Sequence, residues 1–145
     1  MDHTVKRKTK YDFVKRVLLF FVCLLLVVVI VVPGVLQLMY KADARVALGH
    51  AKTIRMAFVS LAKEQYGKGE ELFDVTTPGH IKEGLYDDVI QLSKVPGDFW
   101  ILETDETTLE VKQFIYQEDG YSVWYNASQG GYKVYRESQM MDTGD

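Results

Sequence analysis

The sequence predicts an α+β protein in which a long N-terminal helix packs on a C-terminal antiparallel β-meander. Three patterns in the 145 residues support this class. An uncharged apolar run comes first, a hydrophobic period of three and four residues follows it, and a period of two residues occupies the last third. These patterns are typical of a membrane-spanning helix, an amphipathic helix and the strands of a half-buried sheet.

The apolar run covers residues 17–40, which are 24 residues without a charged side chain. About 20 apolar residues suffice to cross a bilayer as a helix. A cleaved signal peptide is the alternative, because Ala42-Asp43-Ala44 has the small residues of a cleavage site, but this triplet lies far beyond Pro33. Cys23 lacks the small residues that precede a lipid-modified cysteine. We therefore expect a retained transmembrane helix, tilted or kinked near Pro33.

Charge is distributed unevenly along the chain. Residues 1–16 carry six basic and two acidic side chains, a net charge of +4, whereas residues 41–145 carry 11 basic and 18 acidic side chains, a net charge of −7. By the positive-inside rule, residues 1–16 form a basic cytoplasmic N-terminus and the domain after the span is extracytoplasmic, which places the protein in the cell membrane as a single-pass chain. Nucleic acid is excluded as a partner, because phosphate binding depends on Lys and Arg.

An amphipathic helix is expected over residues 43–65, with apolar side chains at steps of three and four and with Gly67 and Gly69 at its end. Span and helix together are expected to form one rod to about residue 66. The small side chains near the start of the amphipathic part have two interpretations: in a lone protein they are core, and in an assembly they allow other subunits to pack closely. The assembly-helix candidates are Pro33, Ala44, Ala47, Leu48 and Ala51.

The rest of the chain is expected to form a loop, a short helix and an antiparallel meander. The short helix is predicted over residues 81–93, with Ile81, Leu85, Val89 and Leu92 on one face, and the turn Pro96-Gly97-Asp98 follows it. Alternation predicts strands at residues 99–103, 109–117, 121–126 and 132–136. Residues 41–136 would thus form one domain, and residues 137–145, which have no period, a flexible tail.

Four aromatic residues are expected on one alternate face of the meander: Phe114, Tyr116, Trp124 and Tyr135. One interpretation is cross-strand pairing that stabilises a small sheet by about 0.2–1 kcal/mol per pair. The other is an exposed platform for a partner subunit or a surface ligand.

No residue pattern indicates catalysis, a cofactor or a metal. Asp142-Thr143-Gly144 spells the triplet of aspartic proteases, but that chemistry needs two carboxylates that share a proton, and the triplet occurs once. His3, His50 and His80 lack the helical spacing of a zinc site. The single cysteine excludes an intrachain disulfide. The sequence favours a protein that is not an enzyme, with no catalytic, cofactor-binding or metal-binding residues and no small-molecule substrate.

The order of these segments resembles that of the type IV pilins and their pseudopilin relatives. Residues 42–48, ADARVAL, are similar to the alanine- and arginine-rich segment that follows the helix-breaking proline in pilins. Residues 121–134, YSVWYNASQGGYKV, resemble the last hairpin of pilin-like proteins from Gram-positive bacteria, and the short helix before Pro96-Gly97-Asp98 also fits that group. The resemblance covers about residues 12–136. It implies a pilin-like fold and a structural role at the cell surface.

The prepilin cleavage motif is missing from the chain. Prepilins carry a glycine before the cleavage point and a glutamate shortly after it. Alignment on Pro33 places Tyr11 at the glycine position, Asp12 at the first mature position and Arg16 at the glutamate position. The start of the span is therefore basic where a pilin is acidic, which indicates a pilin-like membrane protein rather than an ordinary pilin.

Two functions are consistent with these observations. The first is a non-standard minor pilin or an accessory subunit of a type IV pilus or type II secretion-like assembly, whose partners are the lipid bilayer and other pilin-like subunits or further copies of itself. The second is a single-pass membrane-anchored ectodomain that binds a surface ligand or envelope partner without entering a filament.

Overall fold

The computed structural model describes the backbone of residues 2–144 and the side chains of residues 11–144. By its internal contacts the chain divides into two units, of which the first ends at Tyr40 and the second begins at Lys41. The apolar run of the sequence ends at the same position.

The helix α1 spans Asp2–Lys68 and includes Pro33 in its interior. Proline has no N–H to donate, so the carbonyl four residues earlier loses its helical partner. A Schellman motif ends the helix: Gly69 has a φ of 69° and its N–H donates to Tyr66 O at 3.1 Å, while the Glu70 N–H donates to Gln65 O at 3.0 Å. The helix therefore ends at Lys68, before the second of the two glycines that the sequence indicates and three residues beyond the predicted end at residue 65.

The second helix, α2, spans Leu85–Ser93 and is shorter than predicted. Gly84, with a left-handed φ of 87°, precedes it, and a left-handed residue cannot continue a right-handed helix. Ile81 lies instead in an isolated antiparallel bridge with Phe73. Leu92 is 56% exposed, so its predicted place on the buried face is wrong. The helical spacing of residues 81–92 thus covers two different structures, the isolated bridge at Ile81 and the helix α2.

The sheet contains five antiparallel strands in the order β1-β2-β3-β4-β5. They are β1 (Asp98–Thr104), β2 (Val111–Glu118), β3 (Tyr121–Asn126), β4 (Gly131–Arg136) and β5 (Gln139–Met141). The predicted meander is confirmed, and β3 has the predicted bounds. The α+β class is also confirmed.

The fifth strand corrects the predicted tail. Glu137 and Ser138 have φ values of 47° and 72°, and this two-residue turn returns Gln139–Met141 to the free edge of β4. A strand of three residues is too short to show a period in the sequence.

The core of the second unit lies between α1 and the inner face of the sheet. Phe58 of α1 is at its centre, with its ring edge-on to Phe99 and Phe114 at centroid distances of 5.1 and 5.2 Å. Such edge-to-face pairs stabilise a core by about 0.5–1.5 kcal/mol beyond the area they bury. The largest side chains that are fully buried are Tyr116, Phe58, Phe99, Phe114, Ile54, Leu72, Ile81, Ile101, Val89 and Val123.

Candidate functional site

The first candidate site is the exposed apolar part of α1. Side chains 11–39 are all exposed, and the most apolar window of 18 residues has a mean hydropathy of 3.3 with none of it buried. Water-soluble surfaces rarely carry continuous apolar area of this extent. This part of α1 is therefore a candidate membrane span.

Aromatic rings lie near both ends of this segment. Tyr11 and Tyr40 are 29 residues apart, or about 44 Å along a helix. A bilayer with its headgroup regions is about 40–45 Å thick, and tyrosine is enriched at both of its interfaces. The Lys15 ammonium lies 4.7 Å from the ring centroid of Tyr11. The side chains of residues 1–10 are not among those described. They include His3 and the basic residues of the predicted cytoplasmic segment that precede Tyr11.

The small-residue stripe of α1 is not free for assembly. Ala44, Ala47 and Ala51 are fully buried and Leu48 is nearly so, all in the core cluster of the second unit. This burial corrects the prediction that these residues contact other subunits. The alanines instead let α1 approach its own sheet closely. Of the five candidates, Pro33 alone lies in the exposed apolar part.

The four candidate aromatic residues lie on opposite faces of the sheet. Phe114 and Tyr116 have no exposed surface, and they form part of the core with Val111. Trp124 is 47% exposed and Tyr135 is half-buried, and their rings meet edge-on at 6.4 Å between centroids. The predicted platform of four rings on one face is therefore wrong for Phe114 and Tyr116.

An irregularity in the sheet explains this error. The β1–β2 ladder shifts register on both sides of Glu103, which pairs with Gln113, whereas Thr104 pairs with Val111. The alternation of β2 therefore slips by one residue, so that Val111 and Phe114 both face the core. Alternation counted from Leu109, which has a φ of 58° outside the strand, places Val111 correctly but gives the wrong face for Phe114, Ile115 and Tyr116.

The correct phase defines a surface that the sequence did not indicate, called the outer face below. The outer face is the side of the sheet away from the core, and its central row joins direct cross-strand neighbours Trp100, Ile115, Trp124 and Lys133. Tyr135 and Met140 extend it on β4 and β5. Trp100 and Ile115 are half-buried, and Trp124, Lys133 and Met140 are exposed. Trp and Tyr side chains of this kind dominate binding energy at protein interfaces.

A polar network joins α1 to the two turns at one end of the sheet. Nδ1 of His50 lies 2.6 Å from Oε2 of Glu118, whose side chain is only 8% exposed. The Tyr116 hydroxyl donates to the same carboxylate and accepts the Gly97 N–H at 3.1 Å. Burial, followed by the hydrogen bond to Glu118, raises the pKa of Tyr116. The network satisfies a buried carboxylate and fixes α1 against the β2–β3 turn.

Two cations of α1 cover tyrosine rings of the inner face, toward the end of the sheet opposite the β2–β3 turn. The Arg55 guanidinium lies 4.7 Å from the ring centroid of Tyr125, and the Lys52 ammonium lies 5.8 Å from that of Tyr132. Tyr125 and Tyr132 also contact each other at 4.9 Å between centroids. These contacts account for basic side chains in the middle of α1 by structure alone.

The remaining polar candidates have structural contacts. His80 Nδ1 lies 2.9 Å from the carbonyl oxygen of Ile101 on the edge strand β1. Asp142 accepts a hydrogen bond from the Gly144 N–H, and Arg45 Nε donates to the carbonyl of Thr143. Among residues 11–144, no three His, Cys, Asp or Glu side chains are grouped so that they could hold a metal ion.

A shallow groove of about 580 Å³ lies between the end of α1 and the β1–β2 loop. Val59, Ala62 and Tyr66 form its helical wall, and Thr107, Thr108 and Glu110 face them. The backbone N–H groups of Thr107 and Thr108 both donate to Oδ1 of Asp105, so these donors serve the loop itself.

The chain was compared with known proteins at the level of families, curated sequences and solved structures. No family model, curated protein or solved structure matches it. The function must therefore be inferred from the chain's own residues.

Proposed function

We propose that the chain is a single-pass, pilin-like membrane protein that displays its α+β domain outside the cell membrane, as a subunit or accessory of a type IV pilus or type II secretion-like assembly. One observation carries this proposal. A single helix has a first part that is apolar and exposed on all sides and a last part that is buried under an antiparallel meander.

The bilayer is the first partner of this arrangement. Leu, Ile, Phe and Val favour the centre of a membrane helix by about 0.3–0.6 kcal/mol each, and the helix satisfies its own backbone hydrogen bonds. Val, Leu, Ile and Phe make up most of residues 17–40. The second unit has its own core, so it does not need this segment in order to bury apolar area.

No catalytic role belongs to the proposal. The buried carboxylate of Glu118 is bound by the Tyr116 hydroxyl and by His50, and among the described residues no serine, threonine or cysteine takes part in that network. We assign the network to positioning of α1.

The second candidate function is a membrane-anchored ectodomain that binds an envelope partner and never enters a filament. Two observations favour it: the small-residue stripe that would face neighbouring subunits is buried within the chain, and Trp124 is exposed on the opposite side of the sheet. Arg16 at the start of the span also differs from the acidic residue of pilins.

Intact mass spectrometry of the native protein separates these functions. Washed membranes and material sheared from the cell surface are measured side by side. If the protein enters a filament, the chain should be found in the sheared fraction. A chain that lacks about the first eleven residues in that fraction would show processing at an unusual site. A full-length chain found in membranes and absent from the sheared fraction would reject filament entry and support the anchored ectodomain.

A further inference from the structure

The outer face of the sheet carries three rows of cross-strand neighbours that run from β1 to β4. The central row is apolar and ends in a cation: Trp100, Ile115, Trp124 and Lys133. The row on one side is Asp98, Gln117, Ser122 and Tyr135. The row on the other side is Glu103, Gln113, Asn126 and Gly131.

We propose that the outer face binds the outer face of a second copy of this chain, related by a two-fold axis that lies between β2 and β3 and runs parallel to the strands. Such an interface is isologous, so each contact occurs twice. The rotation places β4 of one copy over β1 of the other, and β3 over β2. The proposal extends the proposed function by naming a partner.

The central row is complementary to itself under this rotation. Trp124 of each copy faces Ile115 of the second copy, which pairs two apolar side chains at the middle of the interface. Lys133 faces Trp100 of the second copy, where an ammonium over an indole ring is a favourable cation–π pair. Trp124, which already contacts Tyr135 edge-on on its own face, and the exposed Lys133 would both bury further surface in this way.

The flanking rows are also complementary. Tyr135 faces Asp98 of the second copy. The Asp98 carboxylate already accepts a hydrogen bond from the Tyr86 hydroxyl at 3.0 Å, and its further lone pairs can accept one from the Tyr135 hydroxyl. Gln117 faces Ser122, and Gln113 faces Asn126. Within one chain Gln113 Nε2 donates to Glu103 and Asn126 Oδ1 accepts from the Ser128 and Gln129 N–H groups, so the bond across the interface would run from Asn126 Nδ2 to Gln113 Oε1. Glu103 faces Gly131, which has no side chain and leaves room for the longer one.

Charge selects this axis over the other simple arrangement. The outward charges of β1 are those of Asp98 and Glu103, and the outward charge of β4 is that of Lys133. An axis along the strands brings the acidic strand over the basic one at both ends of the interface. An axis across the strands would place β1 over β1 and oppose acid to acid. Residues 41–145 carry a net charge of −7, whereas the three charged side chains of the outer face sum to −1, so two copies that meet through this face bring little of that repulsion into the contact.

The size of the face predicts how strong the contact is. Four strands about 4.8 Å apart and six residues of about 3.3 Å each give a face of about 19 by 20 Å, or about 400 Å² per copy. Stable dimers bury about 800 Å² per partner. The contact should therefore be weak between free chains and become populated when a shared membrane raises the effective concentration. At this step the inference rests on the proposed membrane anchor.

Thiol cross-linking of the full chain in lipid vesicles tests the arrangement. All chains carry Cys23→Ser, and one population carries Asp98→Cys while the other carries Tyr135→Cys. With facing sheets about 10 Å apart, the two substituted positions are about 10 Å apart across the interface, whereas two copies of position 98 are about 17 Å apart. A cross-linker that reaches about 10 Å should join the mixed populations at least fivefold more than it joins either population alone.

Interface variants give the test its controls. Trp124→Glu should reduce the mixed cross-link at least tenfold, because it places a carboxylate against Ile115 in both halves. Lys133→Glu should also reduce it, and Lys133→Arg should retain it, because a guanidinium also binds an indole face. Met56→Glu is the matched control: Met56 is 75% exposed on α1, and its replacement should leave the cross-link unchanged.

Three results would overturn the dimer. They are a chain retained in vesicles without a mixed cross-link, a cross-link of Asp98→Cys chains alone at equal yield, and a mixed cross-link that Trp124→Glu leaves unchanged. Binding of an added neutral polysaccharide that Trp124→Glu abolishes, with no cross-link, would likewise assign the face to another occupant. Retention of the chain in the vesicles after an alkaline wash is measured before cross-linking. A chain that the wash removes would refute the membrane anchor instead of the dimer.

Discussion

At the scale of single residues, Gly97 shows how closely the turn before β1 approaches the β2–β3 hairpin. A Cβ at this position would lie 2.1 Å from the carbonyl oxygen of Gln117 and 2.8 Å from the Tyr116 hydroxyl. The first of these atoms is backbone, so it cannot move aside without breaking strand pairing. Gly97 is required by space and not by a left-handed φ.

Gly97→Ala should therefore destabilise the second unit by about 2–4 kcal/mol, the range of severe overpacking. Gly67→Ala is the matched control, because a Cβ there meets open space within α1. That change should stabilise the protein by about 0.5–1 kcal/mol through helix propensity. Thermal unfolding in detergent measures both; equal stabilities for the two variants would contradict the close approach.

The His50–Glu118 contact predicts a larger effect than a surface ion pair. His50→Ala leaves the Glu118 carboxylate, 8% exposed, with the Tyr116 hydroxyl as its remaining hydrogen-bond partner among the described residues, and should cost about 1–3 kcal/mol. Lys68→Ala removes an exposed ion pair with Glu64 that solvent screens, and it should change stability far less than His50→Ala. Chemical unfolding of both variants tests this, and a smaller loss for His50→Ala than for Lys68→Ala would refute it.

Buried tyrosines predict loss of stability at alkaline pH. Burial, followed by a hydrogen bond to Asp98, raises the pKa of Tyr86 to about 12, and burial also raises the pKa of Tyr116. A phenol whose pKa is higher in the folded state favours folding while it is protonated. This contribution is fully present below the unfolded pKa of about 10 and is lost as the pH rises through the folded value.

Stability should thus fall between about pH 10 and pH 12, and the share of the tyrosinate absorbance that Tyr86 and Tyr116 contribute should appear in step with unfolding. In Tyr86→Phe, the fall over this range should be shallower than in the original chain. Tyrosinate formation complete near pH 10 with the fold intact would show that these hydroxyls are open to solvent.

At the scale of elements, α1 is where sequence patterns predict most. Its apolar run, its amphipathic stripe and the glycine that ends it can all be predicted from the sequence, because each depends on residues that are close in the chain. The meander and the bounds of β3 follow from alternation in the same way. Features that depend on strand pairing are not predicted from the sequence. The register shift at Glu103 reverses the face of Phe114 and Tyr116, and β5 forms only because β4 offers a free edge.

The alanines of α1 give an element-scale prediction. Ala51 has no exposed surface and lies where the helix meets the sheet, so Ala51→Leu should separate the two and cost about 1–3 kcal/mol. Ala42→Leu, on an exposed position of the same helix, should be close to neutral. Thermal unfolding of the monomeric protein measures the stability of both variants. A neutral Ala51→Leu that nevertheless impairs subunit assembly would return these alanines to an intersubunit role.

At the scale of the whole molecule, the sequence indicates an apolar anchor of about 24 residues and a separate acidic domain, and the structure divides at the same position. The candidate surface was harder to predict. Two of the four aromatic residues named from the sequence lie on the outer face, and Trp100 and Ile115 were missed because their place depends on the register of β1 and β2. The predicted orientation in a membrane rests on charge alone, that is, on the basic residues before the candidate span and the acidic domain after it.

The most direct test of the central claim is therefore labelling of single cysteines in intact cells with a membrane-impermeant thiol reagent. In a Cys23→Ser chain, Ser128→Cys reports the β3–β4 hairpin and Thr9→Cys reports the segment before the span. A single-pass anchor with an outer domain predicts that the hairpin cysteine is labelled in intact cells and that the N-terminal cysteine is labelled only after the cells are permeabilised. Labelling of the N-terminal cysteine alone, or of neither cysteine, in intact cells would contradict the claim.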